Sequence, residues 1–94
     1  MKSIKVEYKR MKTNWGLAHF DKHLIEIDAS TKGKKRLEIL NHEALHLLIP
    51  EASEEEIIRI SIALTKLLWR EGYRQMDNDT SQPLQKINKN KTNE

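Results

Sequence analysis

The segment His42-Glu43-Ala44-Leu45-His46 holds two imidazoles four residues apart, with a carboxylate directly after the first. On a helix, four residues is just over one turn, so His42 and His46 project from one face and can grip a single ion. Neutral imidazole is a preferred ligand of zinc. Glu43, one position along, points beside such an ion rather than at it. There it can take a proton from a zinc-activated water and so generate the nucleophile for attack on a carbonyl. The competing reading is structural: the two histidines cap a polar seam between helices and Glu43 is merely exposed. The helix expected around the motif, the sheet before it and the acidic stretch after it favour the metal.

A catalytic zinc takes three protein ligands and keeps one position open. The chain has no cysteine, so the third ligand must be His, Asp or Glu. His19 and His23 fall on extended segments before the motif and read as solvent-facing strand residues. The acids after Pro50 are better placed, because Pro50 and the linker Glu51-Ala52-Ser53 turn the chain so that a second helix starts near the end of the first. Glu54 precedes Ile57 by three residues and Ser61 by seven, on the inward stripe that continues to Leu64 and Leu68. It therefore points toward the first helix. Glu55 is rotated about 100° away, beside Ile58 and Ile62, and stays the alternative. Glu56 is committed to a helix cap, and Glu51 lies in the linker. An acidic first turn also has an ordinary explanation in the helix dipole.

These groups need elements to hold them. Ile4, Val6 and Tyr8 alternate with Lys5, Glu7 and Lys9, the pattern of a strand with one buried face. Asn14-Trp15-Gly16 reads as a turn or bulge before a second extended stretch, Leu17 to Phe20. Asp21-Lys22 makes a tight turn into a third, His23 to Asp28, with Leu24 and Glu26 opposing Ile25 and Ile27. The expectation is a small antiparallel sheet of about three strands. After a loop from Ala29 to Lys34, a helix should run from near Lys34 to about Leu48 and stop before Pro50. Leu37, Leu40, Ala44 and Leu47 form its apolar stripe. Ser53 and Glu56 make a capping box for the second helix. Ile57, Ile60, Leu64, Leu67 and Leu68 are its expected core face, and Gly72 its stop signal. The fold class is thus α+β: a sheet, then two helices. From Gln75 the chain turns polar, with few apolar anchors, which predicts a domain over residues 1–74 and a flexible tail over 75–94.

Ninety-four residues make one small domain, near the lower end of what folds on a single core. The opening MKSIKVEYKR has no apolar run of the signal-peptide kind, and no stretch is long enough to cross a bilayer. Together with the lack of cysteine this predicts a cytoplasmic protein with no membrane partner. The net charge of +3 is unevenly spread, with Lys32, Lys34, Lys35 and Arg36 crowded before an acidic middle. Such a basic face could meet nucleic acid. The aromatic interleaving of single-strand platforms and any zinc-finger or homeodomain pattern are missing, however, and a solvated surface is the simpler reading. Tyr73 and Arg74 close the second helix. Such a pair can stabilise an oxyanion, or simply pack at a helix end.

The stretch HEALHLLIPEASEEEIIRISIALTKLLWREGYR resembles the core of small zincin-like metallopeptidases of the gluzincin type, often carried by bacteriophages and prophages. The similarity extends from about Trp15 to Arg74, with WGLAHFDKHLIEID as the sheet. The resemblance implies His42 and His46 as zinc ligands, Glu43 as general base and Glu54 or Glu55 as third ligand. It also implies that a strand within Leu17 to Asp28 runs along the cleft and pairs with an extended peptide or protein substrate. Ile58 or Arg59 stands where larger gluzincins often carry Asp or Asn, one turn after the ligand glutamate. The function expected is zinc-dependent hydrolysis of peptide bonds. The alternative keeps the fold and drops the chemistry: a phage-type accessory protein that binds nucleic acid or protein through its basic face.

Overall fold

In the computed structural model, which describes residues 2–76, the chain runs β1 (Lys5–Lys9), β2 (Gly16–His19), β3 (Leu24–Asp28), α1 (Gly33–Leu48) and α2 (Glu54–Arg70). The α+β expectation holds in element type and order. The sheet order is β1-β3-β2, with β1 parallel and β2 antiparallel to β3. The expected antiparallel sheet is therefore corrected to a mixed one. Alternation reports which side chains share a face, not which strands are neighbours, so the direction of β1 lay outside its reach. The physical reason for the order is apolar content. β3 carries Ile25 and Ile27, both 0% exposed, and the central place covers it on both edges. β1 is exposed along its length and takes an edge, where its lysines deter pairing with other chains.

The hairpin between β2 and β3 turns at Phe20 to His23, around the expected Asp21-Lys22. His23 has a φ of 48° and belongs to the turn rather than to a strand. Residues 10–15 carry the chain from β1 to the far edge, and Asp28 anchors this crossing. Its carboxylate accepts the Met11 N–H at 2.9 Å and the Ser30 hydroxyl, while its own N–H donates to the Trp15 carbonyl at 2.8 Å. The Ser30 and Met11 hydrogen bonds favour the charged form and hold the Asp28 pKa below its ordinary value.

α1 is the middle layer. One side packs on β2 and β3 and another on α2, whereas α2 makes no contact with any strand. Ile39 joins Ile25 and Ile27 in the core, with Ile4, Leu40, Ala44 and Leu47 packed around them. Ile57, Ser61 and Thr65 are the buried line of α2. Leu67, expected in the core, is instead 44% exposed, and Ile58 and Ile62 lie at 43% and 39%. The reason is a polar seam. Asn41 Nδ2 donates to Thr65 Oγ1 at 2.9 Å, and that hydroxyl donates to the Ser61 carbonyl at 2.6 Å. With both groups satisfied, α2 buries Ile57, Ser61 and Thr65, while Ile60, Leu64 and Leu68 of the expected core face stay half-buried and Leu67 alone of that face is exposed.

The expected capping box is present, with Glu56 N–H on Ser53 Oγ at 3.1 Å and Ser53 N–H on Glu56 Oε1 at 3.0 Å. Gly72, at φ 91°, closes α2. Its N–H reaches the Trp69 carbonyl at 3.1 Å and the Tyr73 N–H reaches Leu68 at 3.0 Å, a Schellman ending. The expected tail starts at Gln75, which donates to the Tyr8 hydroxyl at 3.1 Å and accepts from Arg36 at 3.0 Å. The rest of it, residues 77–94, lies outside the described residues. Among the described residues no helix is long and apolar enough to cross a membrane.

Candidate metal centre

The motif histidines sit in the C-terminal half of α1, and the chain re-enters helix at Glu54, just after the Ser53 cap. Because the cap orients the first turn of α2, Glu54 faces back onto α1. Its Oε1 lies 3.0 Å from His46 Nε2 and its Oε2 lies 3.2 Å from His42 Nε2. The two Nε2 atoms are 3.2 Å from one another. Four ligands at about 2.0–2.1 Å around a tetrahedral zinc stand about 3.3–3.4 Å apart, so the observed edges are close to those a small cation imposes.

The donor set supports the same reading. A carboxylate brings only lone pairs, and each Nε2 holds at most one proton, yet each faces both a carboxylate oxygen and the other ring nitrogen. One proton cannot serve two directions, whereas a cation between the donors serves all of them. His42, His46 and Glu54 could therefore hold a metal ion. The group opens to solvent, with side-chain exposures of 23%, 28% and 61%.

Of the residues weighed as metal ligands, the structure brings these three together and leaves the others apart. Glu55, one position on, is exposed and outside the group. Glu56 serves the cap. His19 Nε2 pairs across the sheet with Glu26 Oε1 at 3.1 Å, and Lys9 holds the other oxygen at 3.3 Å. His23 lies in the β2–β3 turn. Tyr73 and Arg74 follow the far end of α2, about 25 Å along the helix from Glu54. That separation removes them as oxyanion donors for this group. In the basic cluster, Arg36 is an internal pin: it donates to the Ala29 carbonyl at 3.0 Å and its guanidinium lies 4.4 Å from the Tyr8 ring centroid. Lys35 lies 5.0 Å from the Trp15 ring centroid.

Glu43 lines a cleft of about 270 Å³ with His42, between Ile39 of α1 and the Trp15-Gly16 entry to β2. Burial pushes its carboxyl pKa up; His42 and His46 pull it partly back, and Glu54 adds to the rise. Gly16 was expected in a turn or bulge, and it instead opens β2. A Cβ at Gly16 would lie 2.6 Å from Ile39 Cγ2 and 3.1 Å from Glu43 Cγ, so the absent side chain is what lets β2 reach the motif helix. A glycine at the head of a strand is the one sequence signal for such an approach. No protein-family model, curated protein or solved structure matches the chain, so the His-His-Glu group stands on its own geometry.

Proposed function

We propose that the protein is a zinc-dependent metallopeptidase of minimal size, with zinc held by His42, His46 and Glu54 and with Glu43 as general base. The observation that carries this reading is the approach of Glu54 to both motif imidazoles, at 3.0 and 3.2 Å. A first-turn glutamate that serves only the helix dipole has no reason to face two histidines of another helix. Two imidazoles and one carboxylate form a catalytic zinc set that leaves a fourth position for water or substrate.

Bound zinc supplies Lewis acidity, which makes water nucleophilic near neutral pH and polarises a carbonyl. The proton work falls to Glu43. Its carboxylate accepts a proton from the attacking water and passes it to the departing amine nitrogen. Partial burial beside His42 and Gly16 raises its pKa above the ordinary carboxylate value. β2 pairs only with β3 among the described residues, so its outer edge is open beside α1. An extended peptide added to that edge would lie along the cleft that Glu43 lines.

Elemental analysis of protein purified without added metal tests the reading directly. One zinc per chain is expected, lost in His42→Ala and in Glu54→Gln. Glu43→Gln should keep the zinc and lose turnover of an unstructured peptide library. A wild-type chain that takes up no zinc under saturating conditions removes the proposal.

A further inference from the structure

A cleft lies at the opposite end of the α1–α2 pair from the His-His-Glu group. It measures about 590 Å³, and none of His42, Glu43, His46 or Glu54 lines it. The layering produces it: α2 packs on α1 and not on the sheet, which leaves a wedge between β1 and the C-terminal end of α2. Its apolar wall includes Leu37, Leu40 and Leu68, and its charged lining residues are all cations, Lys32, Arg36 and Arg74. Among the described residues, none of these three makes an ion pair.

Both guanidiniums are set in place by aromatic faces. Arg74 lies 3.4 Å from the Trp69 ring centroid and Arg36 lies 4.4 Å from that of Tyr8. Hydrogen bonds to backbone carbonyls, from Arg74 to Trp69 at 2.9 Å and from Arg36 to Ala29 at 3.0 Å, hold their planes further. Each guanidinium has five N–H groups; Arg36 also donates to Thr31 Oγ1 at 3.3 Å and to Gln75 Oε1 at 3.0 Å, which leaves two of its five, and Arg74 keeps at least three. A fork held this way receives an oxyanion with little further loss of freedom.

The geometry points to this cleft as a binding site for a small amphipathic carboxylate, its apolar body on Leu37, Leu40 and Leu68 and its anionic head on Arg36 and Arg74. The volume falls within the roughly 300–1,000 Å³ of small-molecule sites. A nucleotide fits less well, because a base needs partners for its polar edge. The one amide of the cleft, Gln75, is already bonded to both the Tyr8 hydroxyl and Arg36. The site is independent of the metal reading, since the two share no residue.

Isothermal titration of the full chain with octanoate, octanol and adenosine monophosphate tests the assignment. Saturable one-to-one binding of octanoate is expected, at least tenfold tighter than either control. Arg74→Gln should weaken it at least tenfold while its thermal melt shows a folded chain, and His42→Ala should bind as the wild type does. Absence of saturable binding overturns the proposal, and so does unchanged affinity in Arg74→Gln. Equal binding of octanol would show an apolar surface without a carboxylate site, and tighter binding of the nucleotide would assign the cleft to another ligand class.

Discussion

Glu54 and Glu55 differ by one position in a run of three identical side chains, and only one of them meets the histidines. Helix geometry separates them by about 100°, and this rotation is what the apolar stripe of α2 made legible in advance. The prediction at this scale is a pair of charge-removing variants. Glu54→Gln should weaken zinc binding by about a hundredfold or more, since it would take the anionic donor from the proposed three-ligand set. Glu55→Gln should leave it within about twofold, because an exposed charge outside the group acts only through screened water. Competition with a chromophoric chelator reads both; equal losses would mean that Glu54 is not the donor. Asp28 carries a second prediction. Its pKa is lowered in the folded chain by Ser30 and Met11, so the stabilisation is present above the ordinary aspartate value of about 3.9 and is lost as pH falls through the lower folded one. Thermal melts across the acid range should show this loss in the wild type and a flatter profile in Asp28→Asn. Nothing in the sequence marked Asp28, because its partners are a backbone N–H from the crossing segment and a hydroxyl two residues on.

At the scale of elements, local signals succeeded where the information was local. The capping box needs only Ser53 and Glu56, the helix stop only Gly72, and both are present as read. The strand order and the exposure of Leu67 depend on partners distant in sequence, and neither periodicity nor propensity encodes them. The two kinds of information meet at Ser53 and Gly16. Ser53→Ala should cost about 1 kcal/mol of stability through the lost cap. It should also weaken zinc binding, because Glu54 is the next residue and takes its direction from that turn. A variant that loses stability but keeps full zinc affinity would separate the cap from the site. Gly16→Ala places a methyl group 2.6 Å from Ile39 Cγ2, an overpacking expected to cost about 1–3 kcal/mol and to push β2 away from Glu43. On the proposed function, peptidase activity in Gly16→Ala should therefore fall further than zinc content does.

On the scale of the whole molecule, α1 is, among the described residues, the only element that touches both the sheet and α2. The sequence announced two amphipathic helices but could not say that the second would rest on the first alone. As a result, α2 is held by one helix face, a five-residue linker and, at its far end, the Gln75 bonds to Tyr8 and Arg36. An element attached along one side is the first to open in native-state fluctuations. A cation bridging His42 and His46 of α1 to Glu54 of α2 would close that opening at the N-terminal turn of α2, adding to the linker and the buried Ile57. Zinc at a hundred times its dissociation constant should then stabilise the chain by about 2.7 kcal/mol, reversed by chelator. The distribution of that gain separates a clamp from a bystander. Hydrogen exchange should slow most in the first turns of α2 and the C-terminal half of α1, and least in β1, which zinc does not bridge. Uniform slowing over every element would report global stabilisation without a local tie, and no slowing in α2 would mean that Glu54 does not carry the metal across the two helices.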